Sequence, residues 1–225
     1  MYYTHQQPWV NERRVANVVP RSLMWMVGGL LTTLVVALIV TATLPTWLPL
    51  YSGWGPFVLV LAELALVWYL TARLRSGAMA PTEGKALFLL YAATVGIIVV
   101  PALASAPGAV VPALMIAAGM FAATSIWGYT TSVDMQPIGT FLFMALIGLL
   151  LAIAVNVFFV HGALSFWISL VGVLLFSGLT AYDVQRIRRF GMVGDGAAIL
   201  GALALYLDFI NMFLFVLTLF SGRRR

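Results

Sequence analysis

Residues 197–220 read AAILGALALYLDFINMFLFVLTLF. About 20 apolar residues in a helix cross the hydrocarbon core of a bilayer, and this run is longer than that. One ionisable group, Asp208, interrupts it near the middle. An ionised carboxylate at that depth costs at least about 2.5 kcal/mol. Such a group needs a partner, a proton or a water-filled space beside it. The stretch therefore sets both the class of the protein, a membrane helix bundle, and the question of what its buried acid does.

Working outward, six more apolar runs have spanning length: 23–43, 54–72, 86–105, 109–129, 138–160 and 163–182. Pro45 and Pro49 end the first, Pro107 and Gly108 divide the third from the fourth, and Pro137 suits the first turn of the fifth. The few residues around His161 and Gly162 predict a tight hairpin between the fifth and sixth. No period-two alternation suggests a barrel. Composition agrees: 63% of the 225 residues are hydrophobic and 8% charged, against about 25% charged in soluble domains. The expected organisation is a cytoplasmic tail, residues 1–21, and one transmembrane domain, 22–225. The tail does not have the order of a signal peptide, so the first helix is expected to remain as an anchor.

Arginine and lysine set the orientation. Arg13, Arg14 and Arg21 lie in the tail, Arg73, Arg75 and Lys85 after the second run, and Arg186, Arg188 and Arg189 after the sixth. All nine fall on one side if the N-terminus is cytoplasmic. Arg223, Arg224 and Arg225 then fall on the other, unless one run is re-entrant and both termini are inside. The net charge of +5 is assigned to orientation and to anionic lipid headgroups, not to nucleic acid. The absence of cysteine removes disulfides, thiolate metal sites and thiol catalysis.

Several chemistries find no residues. No glycine-rich phosphate loop and no histidine pair are present, and Lys85, the only lysine, lies in a loop, which excludes a retinal Schiff base. Serines lack a histidine partner for intramembrane proteolysis. A two-aspartate protease stays open, because two acids on adjacent helices can activate a water. No resident cofactor is expected.

The remaining candidates are acids and their neighbours. Gly201, Ala204, Asp208, Asn211 and Thr218 form one small-and-polar stripe, expected to face the bundle and to make the last helix its centre. Ala145, Gly148, Ala152 and Asn156 form a similar stripe on the fifth, read as close packing with a satisfied amide. Asp183 ends the sixth run, with Arg186 three residues on as a local ion-pair partner. Glu63 lies mid-membrane in the second run, with Arg73 and Arg75 at its cytoplasmic end. Asp134 reads as a solvated turn or a cap for the fifth helix, and Asp195 between two glycines as a turn. His161 reads as a solvated loop residue.

Residues 204–211, ALYLDFIN, and 181–187, AYDVQRI, resemble the signature segments of the transmembrane Bax inhibitor motif family, the Bax inhibitor-1 group. Glu63, Tyr91 with Gly96, and Asp134 support the resemblance, which covers most of the chain. It implies an all-α, seven-helix fold whose last helix is enclosed by two three-helix layers. It also implies a pH-sensitive calcium leak in a bacterial-type member, with calcium and protons as the moving species and the lipid bilayer as the surroundings. The aspartates at 183 and 208 would form a hydrogen-bonded pair, engaged by an arginine from the end of the second helix. Leu74 stands where that arginine is expected, with Arg73 and Arg75 on either side.

Two close carboxylates in a low-dielectric site cannot easily both ionise, so they share a proton. Losing it leaves two repelling charges that attract a divalent cation, giving a latch that is closed when protonated and open when not. Spacing alone does not join the pair. At about 1.5 Å per residue Asp208 lies roughly 16 Å along the last run, whereas Asp183 is at the cytoplasmic end of its own. The competing expectation, which the family resemblance also implies, is a membrane interaction protein that binds and regulates a membrane protease or a stress or cell-death partner without transport, with Asp208 structural.

Overall fold

The computed structural model describes residues 18–77, 79–160, 164–189 and 195–221. Arg13, Arg14, His161, Gly162, Gly194 and Arg223 to Arg225 lie outside these described residues. Seven helices have the length and apolarity to cross a membrane: α1 Val18–Ala42, α2 Gly55–Arg75, α3 Pro81–Ser105, α4 Val110–Thr130, α5 Gln136–Val155, α6 Ser165–Arg189 and α7 Asp195–Ser221. All seven are full-length, and none is a half-length re-entrant segment.

The helix ends differ from the apolar runs, for physical reasons. α1 is described from Val18, so helix already occupies part of the stretch assigned to the tail, with Val18 and Val19 buried. α6 continues past Tyr182 to Arg189, its cationic last turn complementing the helix C-terminus. Asp183 is therefore not terminal. It lies about 9 Å from the end of α6 (183 to 189, at about 1.5 Å per residue). Asp195 opens α7 and does not form a turn.

α3 is interrupted after Ile98 and resumes at Val100. Pro101 has no N–H to give the carbonyl four residues before it, that of Ile97. The Tyr51 hydroxyl, from the short turn between α1 and α2, donates to that freed oxygen at 2.7 Å. At the outer end of α5, Asn156 opens one π-helical turn, Asn156–Val160. Its carbonyl oxygen accepts from Leu164 N (3.0 Å) and its amide donates to Ser165 Oγ (3.0 Å), which closes the α5–α6 hairpin.

The helices form two layers around α7. In one, α3 packs on α1 and α2; in the other, α6 packs on α4 and α5. α7 lies between, with α6 and α1 as its largest neighbours. Its burial is not confined to a stripe. Ala202, Leu205, Tyr206 and Met212 are fully buried, whereas Ala204 and Asn211 are half-buried and Thr218 is exposed. A helix surrounded by protein has no polar face to hide from lipid, so large apolar side chains fill its whole circumference. The stripe on α5 also differs from its reading: Gly148 is exposed, with nothing within 4 Å of where a side chain would start. Close approach occurs instead at Gly128 of α4, which lies directly on the Ala181 main chain of α6.

Candidate functional site

Asp208 and Tyr206 lie two residues apart on α7, about 200° around a helix of 3.6 residues per turn. They consequently face opposite layers. Tyr206 is fully buried and turned to the first layer, with its ring edge-on to Phe88 (5.7 Å) and Tyr91 (6.0 Å). The Thr33 hydroxyl of α1 has the carbonyls of Ala92 of α3 (2.9 Å) and of Gly29 of its own helix (3.1 Å) as acceptors for its single proton, which leaves the Tyr206 hydroxyl to donate to Thr33 Oγ1 at 2.6 Å. One buried hydroxyl pair thus joins α7, α1 and α3.

Asp208 faces the second layer and is 4% exposed. Its Oδ2 accepts no hydrogen bond. Two groups of α6 stand beside it: the Thr180 hydroxyl, itself bonded to the Phe176 carbonyl at 2.8 Å, and the Asp183 carboxylate, the charge that Asp208 feels. Thr180 and Asp183 are three residues apart and so share a helix face. The extension of α6 to Arg189 moves Asp183 inward from the helix end and narrows the gap in depth that sequence spacing left.

Asp183 is itself half-buried, with a side chain 17% exposed. Arg186 approaches it at 3.9 Å from the next turn. The second cation acting on it is Arg75, from the end of α2. The Nε of Arg73 is buried without a hydrogen-bond partner. Of the two arginines flanking Leu74, Arg75 is the one whose charge acts on Asp183.

The other candidates do not join it. Glu63 is on the far side of α7, facing Tyr91 and Thr94, with neither oxygen within hydrogen-bond geometry of a partner. The Asn211 amide donates to Leu207 of its own helix at 2.8 Å. Asp134 both caps and pairs: Oδ1 accepts from Gln136 N (3.2 Å) and from Arg189 Nη1 (2.8 Å). Thr180, Thr33 and Tyr206 were missed in the sequence. Thr180 was findable, one turn before Asp183, and Tyr206 lies inside ALYLDFIN; nothing local marks Thr33.

No group of three or more histidine, aspartate or glutamate side chains able to hold a metal occurs among the described residues. Calcium takes 6–8 oxygen ligands. Two carboxyls and one hydroxyl supply fewer, so any cation here keeps much of its water.

The profile of a family described as "Inhibitor of apoptosis-promoting Bax1" matches residues 15–225. An uncharacterized protein of Deinococcus radiodurans is 40% identical over 219 residues, covering 93% of this chain and 92% of its own. The inner membrane protein YbhL of Escherichia coli K12 is 39% identical over 214 residues, 89% of each. An uncharacterized membrane protein of Streptococcus pyogenes serotype M3 is 40% identical over 168 residues, 71% of each. With seven spanning helices, an enclosed last helix and near full-length relatives, the chain is a multi-pass membrane protein and belongs to the Bax inhibitor-1 family.

Proposed function

We propose that this protein is a proton-controlled calcium leak, with the carboxyls of Asp183 and Asp208 as its latch. The observation that supports this is a deeply buried acid on α7 with one unbonded oxygen, on which the charge of a second acid, Asp183 of the neighbouring α6, acts. With one proton shared between them, the pair ties α6 to α7. Without it, two like charges in a low-dielectric site repel each other, and the helices are pushed apart. The same charges then attract a divalent cation, which crosses with water completing its shell. Arg75 and Arg186 partly neutralise Asp183, so the closed mouth is not a cation trap. Flux accordingly rises with pH.

The choice of calcium rests on the family resemblance. No catalytic residue and no resident cofactor are assigned; calcium is cargo. The relatives named above are bacterial and one is called an inner membrane protein, so the bilayer that fits this chain is a bacterial plasma membrane.

The test is calcium flux into liposomes holding the purified protein, measured at two pH values for wild type, Asp183→Asn and Asp208→Asn. The expected result is pH-dependent flux in wild type and a flattened profile in both variants. An unchanged profile in both would sink the proposal. Absence of flux in pure liposomes, with a membrane protein retained in pull-downs, would favour the interaction reading instead.

A further inference from the structure

The motif AYDVQRI holds a second polar residue that the latch does not use. Gln185 is 2% exposed, two positions after Asp183. It spends both ends of its amide on the loop between α4 and α5. Nε2 donates to the Val133 carbonyl at 2.8 Å, and Oε1 accepts from Met135 N at 2.9 Å. Met135 is itself 3% exposed, so this N–H has no water to turn to.

The same stretch of α6 is held at four further points. Gly128 of α4 lies against the Ala181 main chain, and Gly139 of α5 against the Tyr182 ring. Arg188 donates to the Tyr129 carbonyl, its guanidinium 5.0 Å from the Tyr129 ring centre. Arg189 reaches Asp134 at 2.8 Å. Residues on both sides of Asp183 are thus tied to α4, α5 and their loop. The other groups whose charges act with that of Asp183 are Asp208 of α7, Arg186 of its own helix and Arg75 of α2.

We infer that Gln185 is a positioning residue, pinning α6 to the α4–α5 loop so that Asp183 is the stationary half of the acid pair and α7 with α2 the moving half. A carboxyl shares a proton only with a group held at hydrogen-bond distance. A side chain on an unpinned helix end would average over positions and share it poorly. The bidentate amide is suited to this: it fixes both the height and the rotation of α6 within one turn of Asp183. The exposed Arg189–Asp134 pair cannot do so alone, since ion pairs open to water hold little. The inference rests on the proposed latch.

The test uses the full chain in liposomes with Gln185→Leu, which keeps the bulk and removes both bonds. A loosened Asp183 holds the shared proton less well, so the pH of half-maximal flux should fall by roughly one unit, a tenfold change in proton affinity. A pH-dependent wild type with an identical midpoint in Gln185→Leu overturns the positioning role. A wild type without pH dependence overturns the latch, and with it this use of Gln185.

Because Gln185→Leu can fail to fold, a second measurement is made with Gln185 intact. The chain has no cysteine, so labels can be placed at exposed positions outside the latch, Val133→Cys with Leu174→Cys, and Leu174→Cys with Thr218→Cys. Electron-spin distances are then read at the two pH values. The expected result is a constant loop–α6 distance with a changing α6–α7 distance. A loop–α6 distance that changes with pH would show Asp183 moving with its helix, and the inference would fail.

Discussion

Gly128→Ala is the sharpest test of how the acid-bearing helix is seated. A Cβ at this position would lie 2.7 Å from Ala181 Cα and 2.9 Å from its carbonyl carbon, with the carbonyl oxygen closer still. Carbon atoms at rest are about 3.5–4.0 Å apart, so α4 and α6 must separate by roughly 1 Å. The obstacle is main chain, which cannot swing aside as a side chain can. Overpacking of this kind costs typically 1–3 kcal/mol, and the absence of a flexible neighbour puts it at the upper end, about 3 kcal/mol. Alanine returns about 1 kcal/mol through its better helix propensity. The net loss is about 2 kcal/mol, roughly thirtyfold in the folding equilibrium at about 1.4 kcal/mol per decade. Gly148→Ala is the matched comparison, because nothing lies within 4 Å of that position; it should be neutral or slightly stabilising. Unfolding in mixed micelles with rising SDS can be followed on the seven native tryptophans. If Gly128→Ala unfolds no earlier than Gly148→Ala, the α4–α6 contact is not as close as described and the seating of Asp183 must be redrawn.

Three further outcomes are expected. Tyr206→Phe removes the hydroxyl bonded to Thr33 and should cost about 0.6 kcal/mol, the mean for a hydrogen bond between membrane helices, in the same SDS titration; a loss near zero would mean that Thr33 is satisfied by Ala92 alone. Arg75→Gln removes a cation that favours the charged form of Asp183. The proton is then held more tightly and half-maximal flux moves to higher pH, by up to about one unit, whereas Arg73→Gln leaves the midpoint in place; equal shifts from both would contradict the choice of Arg75. Asn156→Leu leaves Leu164 N and Ser165 Oγ without their partner and should lower stability by about 1–3 kcal/mol, read as earlier unfolding with no change of flux midpoint.

Helix number and class were legible because spanning length is a one-dimensional property, visible in a run such as 197–220. The central place of the last helix was also reached, but from a stripe that turned out to include the exposed Thr218 and the half-buried Asn211. A small-residue pattern reports close approach only where a neighbour arrives. Gly128 and Gly148 are indistinguishable in composition, and only the fold decides which one carries α6 on its surface. The place of Asp183 within α6, and not at its end, depended on where that helix stops. Hydropathy stopped it at Tyr182, where the polar residues begin, whereas hydrogen bonding and the packing of Val184 and Ile187 carry the helix to Arg189. The choice between Arg73 and Arg75 was a matter of about 200° of helix rotation, which no local signal sets when α2 has so little apolar asymmetry.

That weak asymmetry has a consequence of its own. Leu70 is the one fully buried residue of α2. Around most of its circumference this helix touches lipid tails instead of protein. At 21 residues and about 1.5 Å each it is roughly 31 Å long, close to the roughly 30 Å of a bilayer core. Its tilt therefore follows the membrane, at a cost of only fractions of a kcal/mol per Å of mismatch, far less than re-seating a packed helix requires. α2 carries Arg75 at one end and Glu63 at mid-depth. On the proposed latch, a thinner or thicker bilayer would move that arginine relative to Asp183, and hydrocarbon thickness would become a mechanical input to the charge balance of the acid pair.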